Sequence, residues 1–335
     1  MKIARGFRNF AGEHCATTAL RQVFACHGIK LSEEMLLGLG EGIGFELRTG
    51  KKGGLPTLGM RGAGLLELES NVCGRLSIQV KLLSSKSRKS AEKDLLKILA
   101  KDEAAVVYVD VTKLPYAEQG DFCHMGAHAL AVAGVDLDEG NYMVADTDEP
   151  FHRVSLDDLA RARSAVPAPQ LPENALLRFT YPKTLAPIAV AIETAASRVA
   201  GKMLGSKDSN AGVMGITRFA EVLPSWPDEL GINETREALV AAAGFIEESG
   251  NGGGGFRKMY GRFLGEASRM LKDPEVASLA SSVTGLARKW STLASKLKST
   301  KVKDIPGKLG SIQKKIVEIA ESEGSAWERQ KAIFD

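Results

Sequence analysis

The feature that most limits what this chain can fold into is a change of hydrophobic rhythm across a proline-rich stretch, AVPAPQLPEN at 165–174. Ahead of it, short runs rich in β-branched residues stand between helix-like segments: VVYVDV at 106–111, HALAVAGVD at 128–136 and NYMVADTD at 141–148. Another strand-like run, LLRFTY at 176–181, follows directly. These runs predict strands, and the polar LDEGN between the second and third predicts a hairpin turn. Beyond residue 183 the spacing changes. TLAPIAVAIETAASRVAGKML, TREALVAAAGFIEESG, FRKMYGRFLGEASRMLK and the lysine-rich segments up to Phe334 repeat apolar residues every three or four positions, the pattern of one helix face. Prolines without periodic apolar signal mark the connector between the two regimes. The expectation is an α+β chain in two domains, a mixed one over 1–183 and an all-α one over 184–335, and 335 residues suffice for two buried cores.

Composition closes off several alternatives. Hydrophobic residues at 44% and charged residues at 25% are ordinary globular usage, which excludes a disordered or collagen-like chain. No stretch offers about 18 uninterrupted apolar residues and the N-terminus lacks an apolar core, so a cytoplasmic chain without membrane contact is expected. Cys15, Cys26, Cys73 and Cys123 show no CxxC spacing and are too sparse for a disulfide framework, which leaves free thiols and one available nucleophile. The net charge of +3 hides a segregation. Between Phe256 and Lys315 there are 14 Lys/Arg against 4 Asp/Glu, so the helical half is strongly basic. Such runs are usually solvated faces, but they also steer acidic partners. Nucleic acid is the weaker reading, because aromatics for base stacking are few.

Two places carry chemistry. ATTALRQVFACH at 16–27 fits one amphipathic helix broken by Gly28, and Ser32 is a good N-cap for the next. Cys15 therefore sits at a helix start, where the dipole and unpaired N–H groups favour thiolate. His128 begins a strand and Asp146 lies near the end of the return strand. Closure of the hairpin around 138–140 would set the two opposite one another, within reach of an imidazole–carboxylate bond. Asp148 is the rival carboxylate. The order is Cys, His, Asp.

The strings GEHCATTALRQVFACHGIKLSEEMLLGLGEGIGF, HMGAHALAVAGVD and VADTD resemble the N-terminal domain of the butirosin biosynthesis protein H-like family. IEESGNGGGGFRKMYGRFLGEA resembles the helical domain that accompanies it. The resemblance implies a papain-like cysteine core followed by a helical domain that covers the cleft and docks a partner. It implies an acyltransferase of specialised metabolism that moves an acyl group from the phosphopantetheine thioester of an acyl carrier protein, through an acyl-cysteine, to a small amine. Carried over, Cys15 is the nucleophile, His128 the base and acid, and Asp146 the orienting carboxylate. Asn9, six residues before Cys15, is the candidate amide at the oxyanion, with the backbone N–H of Cys15 as the alternative. Glu247, Asn251, Arg257 and His124 are assigned to the substrate, no cofactor or metal is called for, and self-association is left open. A cysteine peptidase or amidase with the same triad, and a non-catalytic binding protein on that fold, are the competing functions.

Blander readings stand beside these. A cysteine at a helix start is more often a small buried residue than a nucleophile. His14 caps that start, and His27 is a helix C-terminal residue whose positive form suits the dipole. Cys123, His124 and His128 lie within six residues, but no paired CxxC accompanies them, which argues against zinc. GNGGGG at 250–255 is either a connector or, with Arg257 and Lys258 beside it, an anion site. GLGEGIGF at 38–45 follows a helical pattern rather than a strand, so it reads as a tight loop under the active-site cleft and not as a dinucleotide fingerprint.

Overall fold

Strands form where the β-branched runs stand and helices where the three-to-four spacing does. The structure is a computed structural model and describes residues 2–50, 54–117, 127–166 and 171–335. In chain order its strands are β1 (Lys2–Ile3), β2 (Ile43–Arg48), β3 (Thr57–Arg61), β4 (Gln79–Leu83), β5 (Ala105–Val109), β6 (His128–Asp136), β7 (Asn141–Ala145), β8 (His152–Ser155) and β9 (Leu176–Thr180). Its helices are α1 (Cys15–Ala25), α2 (Glu33–Leu39), α3 (Glu67–Arg75), α4 (Arg88–Leu99), α5 (Leu156–Ser164), α6 (Ile188–Leu204), α7 (Gly212–Val222), α8 (Trp226–Leu230), α9 (Ile232–Glu247), α10 (Arg257–Leu271), α11 (Pro274–Ser299) and α12 (Ile305–Phe334). The chain divides into two compact units, Met1–Leu36 with Leu65–Ala186, and Leu37–Gly64 with Pro187–Asp335.

The first unit holds an antiparallel sheet in the order β4-β9-β5-β6-β7-β8, with β1 added to β6. One face is covered by α4 and α5, whose Leu95, Ile98, Leu99 and Leu159 meet Val107, Val109, Leu130, Val132 and Val144. On the other face Ala129 and Ala131 leave room for α1, whose Phe24 meets Phe179 edge-on at 5.7 Å.

The β6–β7 ladder contains a bulge that decides which way Asp146 points. From the turn inward the pairs are Asp136↔Asn141, Val135↔Tyr142 and Gly134↔Met143. Past Ala133 the register slips by one, to Val132↔Val144 and Ala131↔Ala145. Extending the slipped register sets Asp146 opposite Leu130, on the face that also carries His128. Without the slip it would stand opposite Ala131, on the reverse face. The two residues are therefore diagonal neighbours, not directly opposed as the sequence suggested. Gly134 makes the bulge sterically feasible, since a Cβ there would lie 2.0 Å from the Lys2 carbonyl of β1.

The second unit is helical apart from the β2–β3 hairpin, which lies within 1–183 in sequence yet belongs to this unit and not to the mixed domain expected there. Its membership follows from burial. Phe45 stacks on Trp290 of α11 at 5.6 Å, and the Leu47 N–H donates to the Asn210 carbonyl at 2.7 Å. GLGEGIGF is consequently not a loop: it comprises the end of α2, a turn with Glu41 at φ 56° and the start of β2. Among the described residues no helix is long and apolar enough to cross a membrane.

Candidate active site

Cys15 is the first residue of α1, entered from His14 in extended conformation (φ −135°, ψ 123°). A helix start leaves N–H groups without intrahelical acceptors. Here a second helix supplies one acceptor: the buried carboxylate of Glu33 accepts from the N–H of Glu13 at 2.8 Å and of His14 at 3.0 Å. The hydroxyls of Thr17 and Thr18 reach the same carboxylate at 2.8 Å. Glu33 rather than the His14 ring thus anchors the entry to the helix. His14 makes no side-chain cap and its Nδ1 lies 3.2 Å from the Thr17 hydroxyl. Ser32 caps α2 as expected, accepting from the Met35 N–H at 3.0 Å.

The ring of His128 bridges the thiol and the carboxylate. Its Nε2 bonds Asp146 Oδ1 at 2.7 Å, and the Cys15 thiol is hydrogen-bonded to the same imidazole. Burial disfavours the charged ring, but the Cys15 thiolate, the Asp146 carboxylate and the hydrogen bonds to both outweigh it and push His128 up to about 10. The ring is thereby favoured as imidazolium beside the Cys15 sulfur. It is also reachable, with Cys15 half-buried and 21% of the His128 side chain exposed. Burial pushes the Cys26 thiol up to about 11 and the Cys73 thiol higher still, which leaves both inert by comparison.

Asp146 is more completely held than the sequence suggested. Burial opposes its ionisation, yet bonds from His128, from the Tyr116 hydroxyl (2.9 Å, to Oδ2) and from the Thr147 N–H (2.7 Å) keep the carboxyl below its usual range. Its backbone carbonyl accepts from Gln22 Nε2 at 2.9 Å. Gln22 stands seven residues after Cys15, on the same face of α1, so the helix that presents the thiol also fixes the carboxylate's backbone. Asp148 belongs elsewhere: it pairs with His152 at 2.8 Å. Gln22, Glu33 and Tyr116 are site residues that the sequence reading missed. Glu33 had a signal in the acidic pair behind Ser32, whereas the other two had none.

The remaining assignments separate. The Asn9 amide donates to the Glu149 carbonyl at 2.5 Å and accepts from Gln22 at 2.7 Å, so it organises the segment before α1. His124 and Cys123 lie outside the described residues. His27 stacks on Tyr181 at 3.7 Å, and burial lowers its pKa, favouring the neutral ring over the positive form expected of it.

Arg257 is not a substrate ligand. It is fully buried, paired with equally buried Glu323 at 2.8 Å, and its Nη1 donates to the Gly44 and Gly255 carbonyls. The glycine run is likewise occupied from within. The Gly253 N–H donates to Asn251 Oδ1, the Gly254 N–H to Glu247 Oε1 at 3.0 Å and the Gly255 N–H to the Ile246 carbonyl. Ser291 also donates to Glu247 at 2.6 Å. The anion this turn holds is the chain's own Glu247, and Asn251, fully buried, is its brace. Positive φ from 58° to 88° at Gly252 to Gly255 explains why only glycine serves there. Among the described residues no three His, Cys, Asp or Glu side chains are grouped to hold a metal ion.

Comparison with known proteins adds two findings. Residues 14–147 match the family described as Butirosin biosynthesis protein H, N-terminal, and residues 157–329 match one described as Domain of unknown function (DUF4872). No curated protein matches the chain.

Proposed function

The chain belongs to the butirosin biosynthesis protein H-like family, and from that membership we propose that it is an acyltransferase of specialised metabolism built on a papain-like thiol core. The observation that carries the reading is the row Cys15, His128, Asp146, with the thiol at a helix start and the imidazole charged beside it. The Cys15 thiolate attacks the thioester carbonyl of an acyl carrier protein, and the oxyanion is held by N–H groups at the start of α1. The carbon–sulfur bond to phosphopantetheine breaks, the departing thiolate takes the proton of His128, and the acyl group rests on Cys15. Neutral His128 then removes a proton from a small amine as it attacks, the amide forms and Cys15 leaves as thiolate. Asp146 holds the ring through Nε2, which leaves Nδ1 for the thiol and the amine.

An acidic carrier protein would be steered by the basic helical surface. Lys289 donates to Ser322 and Lys298 pairs with Glu248, so Lys301 and Lys303, both exposed, are the lysines to reverse. Intact-protein mass spectrometry of the chain with an acylated carrier protein tests the reading. Acyl transfer to Cys15 and discharge by added amine as amide is the expected result; discharge by water alone would make it a hydrolase, and no acylation would sink the proposal. Lys301→Glu with Lys303→Glu should slow acylation by the carrier protein more at low salt than at high salt, and leave a small thioester unaffected.

A further inference from the structure

Beyond Asp146 a second histidine and a second aspartate form another hydrogen-bonded pair. The His152 Nε2 lies 2.8 and 2.9 Å from the two oxygens of Asp148. The imidazole of His152 stacks on the Tyr116 ring, centroids 3.6 Å apart and planes 11° from parallel. From that ring the hydroxyl donates to Asp146 Oδ2 at 2.9 Å, while Oδ1 faces His128 at 2.7 Å. These groups come from three separate stretches: His152 from β8, Asp148 and Asp146 from the segment after β7, and Tyr116 from the turn after β5.

We propose that Tyr116 is a positioning residue for the catalytic carboxylate, and that the Asp148–His152 pair sets the plane of its ring so that the hydroxyl points at Asp146. Oδ1 takes both His128 Nε2 and the Thr147 N–H at 2.7 Å, which fixes one end of the carboxylate. Tyr116 is the donor on the second oxygen, and holding that end as well keeps the carboxylate from turning about its Cβ–Cγ bond and presents Oδ1 to Nε2. Tyrosine suits the task because burial and the Asp146 charge push its ionisation well up, so the hydroxyl stays protonated and donates throughout the working range. The stack suits it as well, since a ring held face to face against an imidazole that is itself fixed by a carboxylate has little freedom to turn.

The inference rests on reading Cys15, His128 and Asp146 as a catalytic row, but its test does not require acyl transfer. The second-order rate at which iodoacetamide alkylates Cys15 reports the thiolate–imidazolium pair directly. Tyr116→Phe keeps the stack and removes the hydroxyl, and should slow alkylation roughly tenfold, as expected for losing a hydrogen bond to a charged group. Asp146→Asn should slow it at least as much, and adding Tyr116→Phe to Asp146→Asn should cost almost nothing further, because the hydroxyl acts only through the carboxylate. A residue that merely supports the fold would give losses that multiply, and that outcome overturns the proposal. His152→Phe, which keeps a flat ring but not the hydrogen bonds to Asp148, should fall between wild type and Tyr116→Phe. A wild-type rate would remove the role assigned to the Asp148–His152 pair. If alkylation behaves as stated while carrier protein fails to acylate Cys15, the positioning role stands and the acyltransferase reading falls. Acylation of Cys15 together with multiplying losses does the opposite, keeping the acyltransferase and removing Tyr116 from its service.

Discussion

Replacing Arg257 by methionine should unfold the helical unit before it alters any chemistry. The guanidinium is wholly buried and donates to Glu323 at 2.8 and 3.2 Å, and to the Gly44 and Gly255 carbonyls at 2.8 Å each. Glu323 also accepts from the indole N–H groups of Trp290 and Trp327, at 2.7 and 2.6 Å. In Arg257→Met the carboxylate keeps only two neutral donors in a site closed to water. Breaking a buried pair from one side costs about 3–5 kcal/mol, and two orphaned carbonyls add about 1–3 kcal/mol each. At roughly 2–4 °C per kcal/mol for a unit of this size, the melting temperature should fall by on the order of 10 °C or more. Removing both charges is different. Arg257→Met with Glu323→Leu no longer buries an unpaired ion, so the double variant should be more stable than Arg257→Met alone, with a coupling of at least ~2 kcal/mol. Thermal unfolding followed by far-UV circular dichroism measures all four corners of the cycle. Additive losses, or an Arg257→Met variant within about 1 kcal/mol of wild type, would refute the reasoning and make Arg257 a ligand-binding candidate again.

Iodoacetamide should label Cys15 well ahead of Cys26 and Cys73, whose thiols burial holds protonated, and Cys15→Ala should abolish acyl capture with an unchanged melting curve; peptide mapping that finds Cys26 labelled first would remove the mechanism. The raised pKa of His128 stabilises the folded chain fully below the unfolded value near 6.5 and is lost as pH rises toward about 10. The stability advantage of wild type over Asp146→Asn, taken from urea unfolding, should therefore shrink across that window, and a difference that stays flat contradicts the coupling. Gly134→Ala would force a Cβ against the Lys2 carbonyl, so β1 or the bulge must move, at about 1–3 kcal/mol, with slower Cys15 alkylation; wild-type stability there would mean the bulge is not constrained as described.

What the sequence disclosed was local. Cys15 could be placed at a helix start because Ala16 to His27 has a helical stripe and Gly28 stops it, and His128 and Asp146 could be paired because a polar turn separates two β-branched runs. The bulge could not be read, since a one-residue slip leaves the alternation of HALAVAGVD almost unchanged, and with it went the true diagonal geometry. Tyr116 stands in a stretch without periodicity and is recruited by residues 30 and 36 positions later. Arg257 looked like a ligand because its helix opens beside a glycine run, but its fate was decided by Glu323, 66 residues on. The β2–β3 hairpin joined the helical unit for a similar reason: Phe45 and Leu47 are apolar in any context, and only their tertiary partners say which core they fill.

The register slip at Ala133 makes the chemistry a matter of odd and even. Loops between β6 and β7 can lengthen or shorten without moving Asp146 across the sheet, because the pairs on either side of the turn are kept. A single residue gained or lost inside the paired stretches, between His128 and Asp136 or between Asn141 and Asp146, would turn the carboxylate to the opposite face while leaving a sheet that still closes. Among relatives that keep the Cys15, His128 and Asp146 row, length changes should therefore gather in the turn and come in pairs within the strands. A chain that has lost only the residue at the slip would be a folded protein with a histidine facing nothing.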